Sequence, residues 1–277
     1  MKFAQSFSNF LQLWPQFRGK RRISRLLLRI FGFSQKKNLV IRTKSGRFTL
    51  PNLLEIVSFD LFVNGEYEKG LVRLISANLP QNGVFVDVGA NIGSICVPLA
   101  LSRPDAHIVA VEASPWIYEI LASNIRQNEI RNIHAINNAV YFESGKTMRI
   151  YAPRDLFGKG SLNPIFTKDG EAIVTITVDD IINSQGLRTV HFVKVDVEGF
   201  ELCVFKGMNA VIENHRPKIV FEFADWTEST AGFEIGAAQA FLLEKGYNLE
   251  RLDNDFVPLP LEIIETIKKN SVNLLAS

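Results

Sequence analysis

An α/β fold built on a mostly parallel sheet, with helices on both faces, is predicted from three observations. Short apolar strands alternate with helical segments from Val84 onward. The first strand runs directly into a glycine turn, Val84-Phe-Val-Asp-Val-Gly-Ala-Asn-Ile-Gly. Acidic residues then stand at the ends of further apolar strands, the edge where open α/β sheets bind ligands. The chain has 277 residues, 47% hydrophobic and 22% charged, enough for a large core without disulfides or metal. Its two cysteines, Cys96 and Cys203, sit in apolar runs. They read as buried thiols of a reducing, cytoplasmic compartment rather than as a disulfide framework.

The elements follow in order. Residues 1–50 hold twelve Lys or Arg and no acid, so the rest of the chain carries a balance of −10. An acidic body does not suggest a nucleic-acid substrate. Within the leader, residues 20–31 are amphipathic: Arg22, Arg25 and Arg29 form one stripe, and Ile23, Leu27 and Ile30 the opposite one. Three readings compete for it. A helix packed on the body with a solvated basic face comes first. A peripheral contact of residues 18–37 with anionic lipid, at the inner face of a membrane, comes second. Nucleic-acid binding is third. Trp14 and the phenylalanines at 3, 7, 10 and 17 add weight to the second, because aromatic rings suit the headgroup boundary. The apolar runs are too short to span a bilayer, and no secretory cleavage pattern is present.

Alternation over 39–50 predicts a hairpin about Ser45-Gly46, and Leu71, Leu74, Ile75 and Leu79 predict a helix over 66–79. Strands 84–88, 108–112 and 133–136 then alternate with helices 94–102 and 115–128. Residues 139–180 break the rhythm with short β-rich runs around a Gly/Pro/Lys-rich loop at 153–170, read as an insertion covering the site. Strand 191–197, helix 201–213, strand 218–223, helix 233–245 and strands near 247–252 and 256–259 complete the chain. The expected division is a basic extension over 1–60 and one domain over 61–277.

Chemistry concentrates in two runs. In the first, Gly89 permits a left-handed backbone and close approach to a ligand. Asn91 can cap the following helix, and Gly93 continues the turn. Asp87 would be a buried carboxylate without a partner unless a ligand or donor meets it; it suits the amino group of a methionine moiety. Glu112 ends the next strand, 23 residues after Gly89, and a carboxylate there can accept both hydroxyls of a ribose. This layout, without a G-x-G-x-x-G, favours a cationic cofactor such as S-adenosylmethionine over a dinucleotide. One amide of Asn137-Asn138, assigned to Asn138, could meet the adenine edge, although an ordinary turn explains the pair equally well.

The second run is Phe192-Val-Lys-Val-Asp-Val-Glu-Gly-Phe-Glu201. Strand alternation places Lys194, Asp196 and Glu198 on one face, where three charges are costly to bury unless paired or used. Glu222 in Ile219-Val-Phe-Glu-Phe223 repeats the pattern more weakly. The four histidines have no metal-ligand spacing. Asp196, Glu198 and Glu222 could gather a hard divalent cation, a use ranked below base and hydrogen-bonding roles, and no metal is assigned.

Together these motifs resemble the FkbM-type methyltransferase family. The matching pieces are Val-Asp-Val-Gly-Ala-Asn-Ile-Gly at 86–93, Val-Glu-Ala-Ser-Pro at 111–115, Asn-Asn-Ala-Val at 137–140, Thr-Val-Asp-Asp at 177–180 and Lys-Val-Asp-Val-Glu-Gly-Phe-Glu at 194–201. Lys206-Gly207, Arg216-Pro217 and Phe221-Glu222 follow in order, so the likeness spans roughly 66–223. It implies a seven-stranded Rossmann-like methyltransferase sheet. It further implies S-adenosylmethionine held by Asp87, Gly89, Asn91, Gly93 and Glu112, with Lys194, Asp196 and Glu198 facing the methyl and the acceptor. The implied reaction is O-methylation of a hydroxyl on a sugar, glycan or other natural product. Pro98 departs from the pattern and is tolerable only if its helix starts late, near Ser94. A nicotinamide-dependent oxidoreductase and a non-catalytic, membrane-associated binding protein are the alternatives.

Overall fold

In the computed structural model, which describes residues 2–260 and 271–277, two helices lead the chain: α1 (Lys2–Leu13) and α2 (Lys20–Ile30). An antiparallel hairpin, β1 (Lys37–Thr43) and β2 (Gly46–Asn52), follows. Helix α3 (Ile56–Asn64) starts where the Glu55 carboxylate accepts from the N–H groups of Val57 and Ser58, and ends at Gly65 in the left-handed region. Helix α4 (Lys69–Asn78) then leads into the main sheet.

The sheet is laid down by alternation. Strand β3 (Val84–Val88) is followed by α5 (Cys96–Ser102), β4 (His107–Val111), α6 (Pro115–Gln127) and β5 (Ile133–Ile136). All five residues of β3 are buried, as an apolar run at the centre of a parallel sheet must be. The insertion forms a small sheet of its own: β6 (Ala139–Val140), β7 (Thr147–Ile150) and β8 (Glu171–Ile176) in the order β6-β8-β7. Helix α7 (Val178–Ser184), capped by the Thr177 hydroxyl, returns the chain to β9 (Phe192–Val195). Then come α8 (Glu201–Lys206), α9 (Asn209–His215), β10 (Lys218–Phe223), α10 (Asp225–Thr230) and α11 (Ala237–Glu244). Strands β11 (Leu249–Leu252), β12 (Pro258–Pro260) and β13 (Val272–Ala276) finish the fold.

The described strands of the main sheet stand in the order β12-β11-β13-β10-β9-β3-β4-β5. Strands β10, β9, β3, β4 and β5 are parallel, and β13, β11 and β12 add antiparallel pairs at one side. This is the expected mostly parallel sheet, with the three-residue β12 as an eighth strand at its edge. Pro98 is the third residue of α5, so its missing N–H falls in the first turn and costs no helical hydrogen bond.

Several expectations are corrected. Strand β9 stops at Val195, so Asp196 and Glu198 are not placed by strand alternation; they lie on a turn in which Glu198 and Gly199 are left-handed (φ 51° and 100°). The expected helix 201–213 is two helices. They break at Gly207, where a Cβ would overlap the carbonyl oxygen of Tyr141. Asn91 does not cap α5, whose N-cap is Ile95; it occupies a left-handed position (φ 54°) in the preceding turn. Helices α3 and α10 and strand β13 have no counterpart in the periodicity.

The apolar stripe of α2 is also not its packing face. Lys20, Ser24 and Leu28 are buried, while of the stripe only Leu27 packs partly against the core and Ile23 and Ile30 face solvent. Arg21 pairs with Asp60 of α3 at 2.5 Å, and the Arg25 guanidinium lies 5.3 Å from the Phe59 ring centre. These contacts tie two exposed arginines of α2 to α3. Phe7 and Leu11 of α1 and Leu28 of α2 enter a core that also holds Ile92, Val97 and Ile117, and residue 60 falls inside α3.

Candidate active site

The site lies at the carboxyl edge of β3, β4 and β9. After β3, the N–H groups of Gly89 and Ala90 both donate to the Val111 carbonyl (2.9 and 3.0 Å), which hooks the glycine turn onto β4. Gly89 is left-handed (φ 77°), and a Cβ there would overlap the Asp196 carbonyl oxygen. The turn therefore passes against the end of β9 with no room for a side chain. Replacing Gly89 by alanine is expected to cost about 2–5 kcal/mol, from backbone strain plus overlap. Urea unfolding checks this, and a loss below about 1 kcal/mol would show that the turn relaxes.

Glu112 follows β4. Its Oε2 accepts from the Asn91 N–H at 2.9 Å and its Oε1 from the Ser114 N–H at 2.8 Å. Each oxygen keeps a lone pair for a ligand. Burial, opposed by those two N–H groups, pushes its carboxyl up to about 7. Asn137 steadies this strand end by donating to the carbonyls of Glu112 and Ala113 (2.8 and 3.2 Å). The Asn138 amide instead donates to the Val174 carbonyl at 2.9 Å, which ties it to the inserted sheet.

Asp87 and Lys194 are opposite one another across β3 and β9, and both are buried. Lys194 Nζ lies 3.5 Å from Asp87 Oδ1 and 3.4 Å from Asp196 Oδ2, and it donates to the Gly89 carbonyl at 3.1 Å. Burial works against the ammonium, but the carboxylates of Asp196, Asp87 and Glu68 outweigh it and hold Lys194 charged above the ordinary lysine range. Burial raises the Asp87 carboxyl, against the pull of Lys194. Among the described residues, neither carboxylate oxygen of Asp87 has a hydrogen-bond partner at ordinary distance.

Two cavities meet here. The first is bounded by Gly89, Asn91, Glu112, Asn138, Phe157 and Asp196, with apolar walls from Val111, Ile150 and Leu162. The second is bounded by five carboxylates (Glu55, Glu68, Asp196, Glu198 and Glu222) and two lysines (Lys159 and Lys194). Gly89, Asn91, Gly158 and Asp196 belong to both, and Asp196 is the one acid they share among the described residues. Asp87 and Gly93 border neither cavity; Asp87 lies behind Lys194, and a Cβ on Gly93 would press on Leu121 and Val97.

The inserted loop covers this edge. Lys159 Nζ pairs with Glu198 Oε1 at 2.5 Å, and the Ser161 hydroxyl donates to the Glu198 carbonyl at 3.0 Å. The buried Glu201 carboxylate accepts from the N–H groups of Val197 and Gly199 (3.2 and 3.3 Å) and braces the turn from beneath. Desolvation raises Glu198, and the neighbouring Glu222 and Asp196 add to it. Oxygen atoms of Asp196, Glu198 and Glu222 lie within 4.8 Å of one another, and the Lys159 ammonium supplies positive charge to this group.

Glu55, Glu68 and Lys159, and Tyr67, which also borders the second cavity, escaped the sequence reading. Glu55 follows an ordinary helix-cap pattern, and Tyr67-Glu68 sit in a connection with no periodicity. Lys159 is one basic residue in a polar loop. Nothing local marks any of them as part of a site.

The first cavity also bears on which cofactor fits. Among the described residues it is lined by two acids, Glu112 and Asp196, and by no Lys, Arg or His. A pyrophosphate would find no counter-charge there, whereas a sulfonium cofactor with a ribose and an adenine fits its acids and apolar walls. A parallel α/β sheet carrying such a cavity at its carboxyl edge is that of an S-adenosylmethionine-dependent methyltransferase. The family model for the methyltransferase FkbM domain matches residues 87–249, and the chain belongs to that family. It is 28% identical over 213 residues to methyltransferase sdnD of Sordaria araneosa, covering 66% of this chain and 80% of that protein. It is 27% identical over 171 residues to the hexuronic acid methyltransferase AglP of Haloferax volcanii, covering 61% and 67%. Among solved structures, the methyltransferase FkbM from Methylobacillus flagellatus KT aligns with a TM-score of 0.48 at 18% identity, over 80% of this chain and 52% of that one.

Proposed function

We propose that the protein transfers a methyl group to a hydroxyl of a sugar, glycan or other natural product. The observation that carries this is the position of Asp196 where the two cavities join. S-Adenosylmethionine supplies an electrophilic methyl on a sulfonium. In this reading Glu112 takes the ribose hydroxyls on its two free lone pairs, while Asn91 and Ser114 hold the carboxylate in place. Asn138 and the apolar walls take the adenine. Asp87 acts through Lys194 rather than on the ligand, and Gly89 and Gly93 shape the turn. The second cavity takes the acceptor. Its carboxylates and lysines offer acceptors and donors to a polyhydroxyl molecule, and the hexuronic acid named for one relative is of that general class.

Asp196 then accepts the proton of the attacking hydroxyl, so that the oxygen reaching the methyl carbon carries no positive charge afterwards. Lys194 holds Asp196 from behind at 3.4 Å and keeps it oriented. Glu198, pinned by Lys159, orders the acceptor beside it. Alignment of nucleophile, methyl and sulfur supplies much of the acceleration.

Calorimetry with S-adenosylmethionine and its demethylated product tests the cofactor half. Wild type should bind both at micromolar Kd, and Glu112→Ala should weaken binding by about tenfold to a hundredfold. Affinity should also rise with pH through about 7, the value to which burial pushes Glu112. The sign follows from linkage: a carboxylate accepting two hydroxyls favours the ionised form, so binding releases a proton below that pH. The same raised value means that this group's contribution to apo stability is fully present below the unfolded value near 4.5 and is lost as pH rises through 7. Equal heats in buffers of different ionisation enthalpy at pH 6.5 would remove Glu112 from the ribose role. Methyl transfer from labelled cofactor to a panel of glycosides and amines tests the acceptor half. Labelling confined to amines would overturn the hydroxyl assignment.

A further inference from the structure

We infer that α1 and α2 form a docking surface for a membrane leaflet that carries anionic lipid. Both helices turn large apolar side chains to solvent: Leu13 is 83% exposed, Ile30 65%, Phe3 58% and Leu26 57%. The exposed rings of Phe3, Phe10, Phe17 and Phe31 are joined through the buried Phe7 and the half-buried Trp14. Phe31 touches Phe3 and Phe7, Phe7 touches Phe10, Phe10 touches Trp14, and Trp14 touches Phe17, with ring centres 5.1 to 6.5 Å apart. Isolated exposed apolar residues are ordinary, but a connected belt of this kind marks a surface that meets something.

The charge around the belt identifies the occupant. On α2, Ile23, Leu26 and Ile30 recur at spacings of three and four and share one face, and Arg22 and Arg29 fall beside them, opposite the buried Lys20–Ser24–Leu28 stripe. Arg21 and Arg25 are engaged by α3, but Arg18, Arg22 and Arg29 are exposed and make no ion pair among the described residues. Residues 1–50 contain no acid to neutralise them. An anionic leaflet matches both halves of this surface: aromatic and aliphatic side chains enter the boundary of the acyl region, and guanidinium groups meet lipid phosphates. A nucleic acid would satisfy the arginines and leave the apolar belt in water. Among the described residues no helix is long and apolar enough to cross a membrane, so the contact lies in the plane of the leaflet. Helix α3 links the two functions. Its Asp60 binds Arg21 of the docking surface, and Glu55 and Val57 at its other end border the acceptor cavity.

Co-sedimentation of the full-length protein with phosphatidylcholine vesicles, with and without about one-third phosphatidylserine, tests the inference. Wild type should bind the anionic vesicles about tenfold better than the neutral ones and lose most of that binding in 0.5 M salt. Leu13→Ser/Leu26→Ser/Ile30→Ser and, separately, Arg22→Glu/Arg29→Glu should each reduce binding at least about fivefold with an unchanged melting temperature, since all five side chains are exposed. Wild type that stays in the supernatant, or variants that bind as well as wild type, would overturn it. So would a wild-type dimer in solution that the apolar variant converts to monomer without any vesicle binding, because the belt would then be an interface between copies of the chain.

Discussion

Replacing Lys194 by methionine is expected to destabilise the protein by about 3–5 kcal/mol at pH 8, the usual cost of removing one partner of a buried ion pair. The side chain is buried against Asp87 and Asp196, and methionine preserves its length but not its charge. Asp87 is then left without a cation in a place that water does not reach. Its carboxyl is already raised by burial with Lys194 present, and it should rise further without it. The sign of the pH dependence follows. The folded variant binds a proton that the unfolded chain has released, so the variant regains stability as pH falls and loses it as pH rises through the folded value. Urea unfolding at pH 5.5 and pH 8 should therefore show a smaller deficit at the lower pH. Lys194→Met/Asp87→Asn should recover much of the loss, because the stranded charge is gone. A deficit below about 1 kcal/mol at both pH values would mean that the pair is not a buried electrostatic couple.

The second large effect is on catalysis. Asp196→Asn is expected to lower kcat by about 10²- to 10⁴-fold, the span typical of a lost general base, while the cofactor Kd changes less than about threefold. Asparagine keeps the shape and a carbonyl oxygen toward Lys194 but cannot take the proton. Glu198→Gln should act differently. Its partner is Lys159 and it borders only the second cavity, the one proposed for the acceptor, so the change should raise KM more than it lowers kcat. Steady-state kinetics on any acceptor found by the labelling panel distinguishes these outcomes. If Glu198→Gln abolishes kcat and Asp196→Asn does not, the base assignment is reversed.

The two predictions concern residues of very different visibility. Asp87, Gly89, Glu112, Lys194, Asp196 and Glu198 could all be picked out in the chain, because acids and glycines interrupt apolar strands there. Which of them meets a ligand could not. Asp87 resembles a cofactor contact in sequence, yet it faces Lys194 across the sheet, a pairing created by the register of two strands more than 100 residues apart. Asp196 resembles one of three equivalent charges on a strand. The end of β9 at Val195 and the left-handed turn at Glu198 and Gly199 set it apart, at the wall between two cavities.

The leader shows the same division. Its amphipathic character was plain from the spacing of arginines and aliphatic residues. Hydrophobic periodicity alone would bury Ile23, Leu27 and Ile30, but only Leu27 packs against the core, while the exposed Arg21 and Arg25 contact Asp60 and Phe59 of α3. Helix α3 itself was illegible for a related reason. Its residues from Val57 to Val63 are buried on every side, so no polar stripe marks its period.

By itself the sequence determined the parallel α/β sheet, the glycine turn after β3, the acids at the strand ends and the family. These follow from nearest neighbours along the chain: apolar runs of strand length, residues that permit tight turns, and charges too costly to bury without use. The tertiary structure alone decided that Glu55, Glu68 and Lys159 join Asp196, Glu198 and Glu222 around one cavity, and which face of α2 meets solvent. Those outcomes depend on strand register, on where a strand ends and on which surfaces pack, and such long-range contacts leave no periodic trace in the local order of residues.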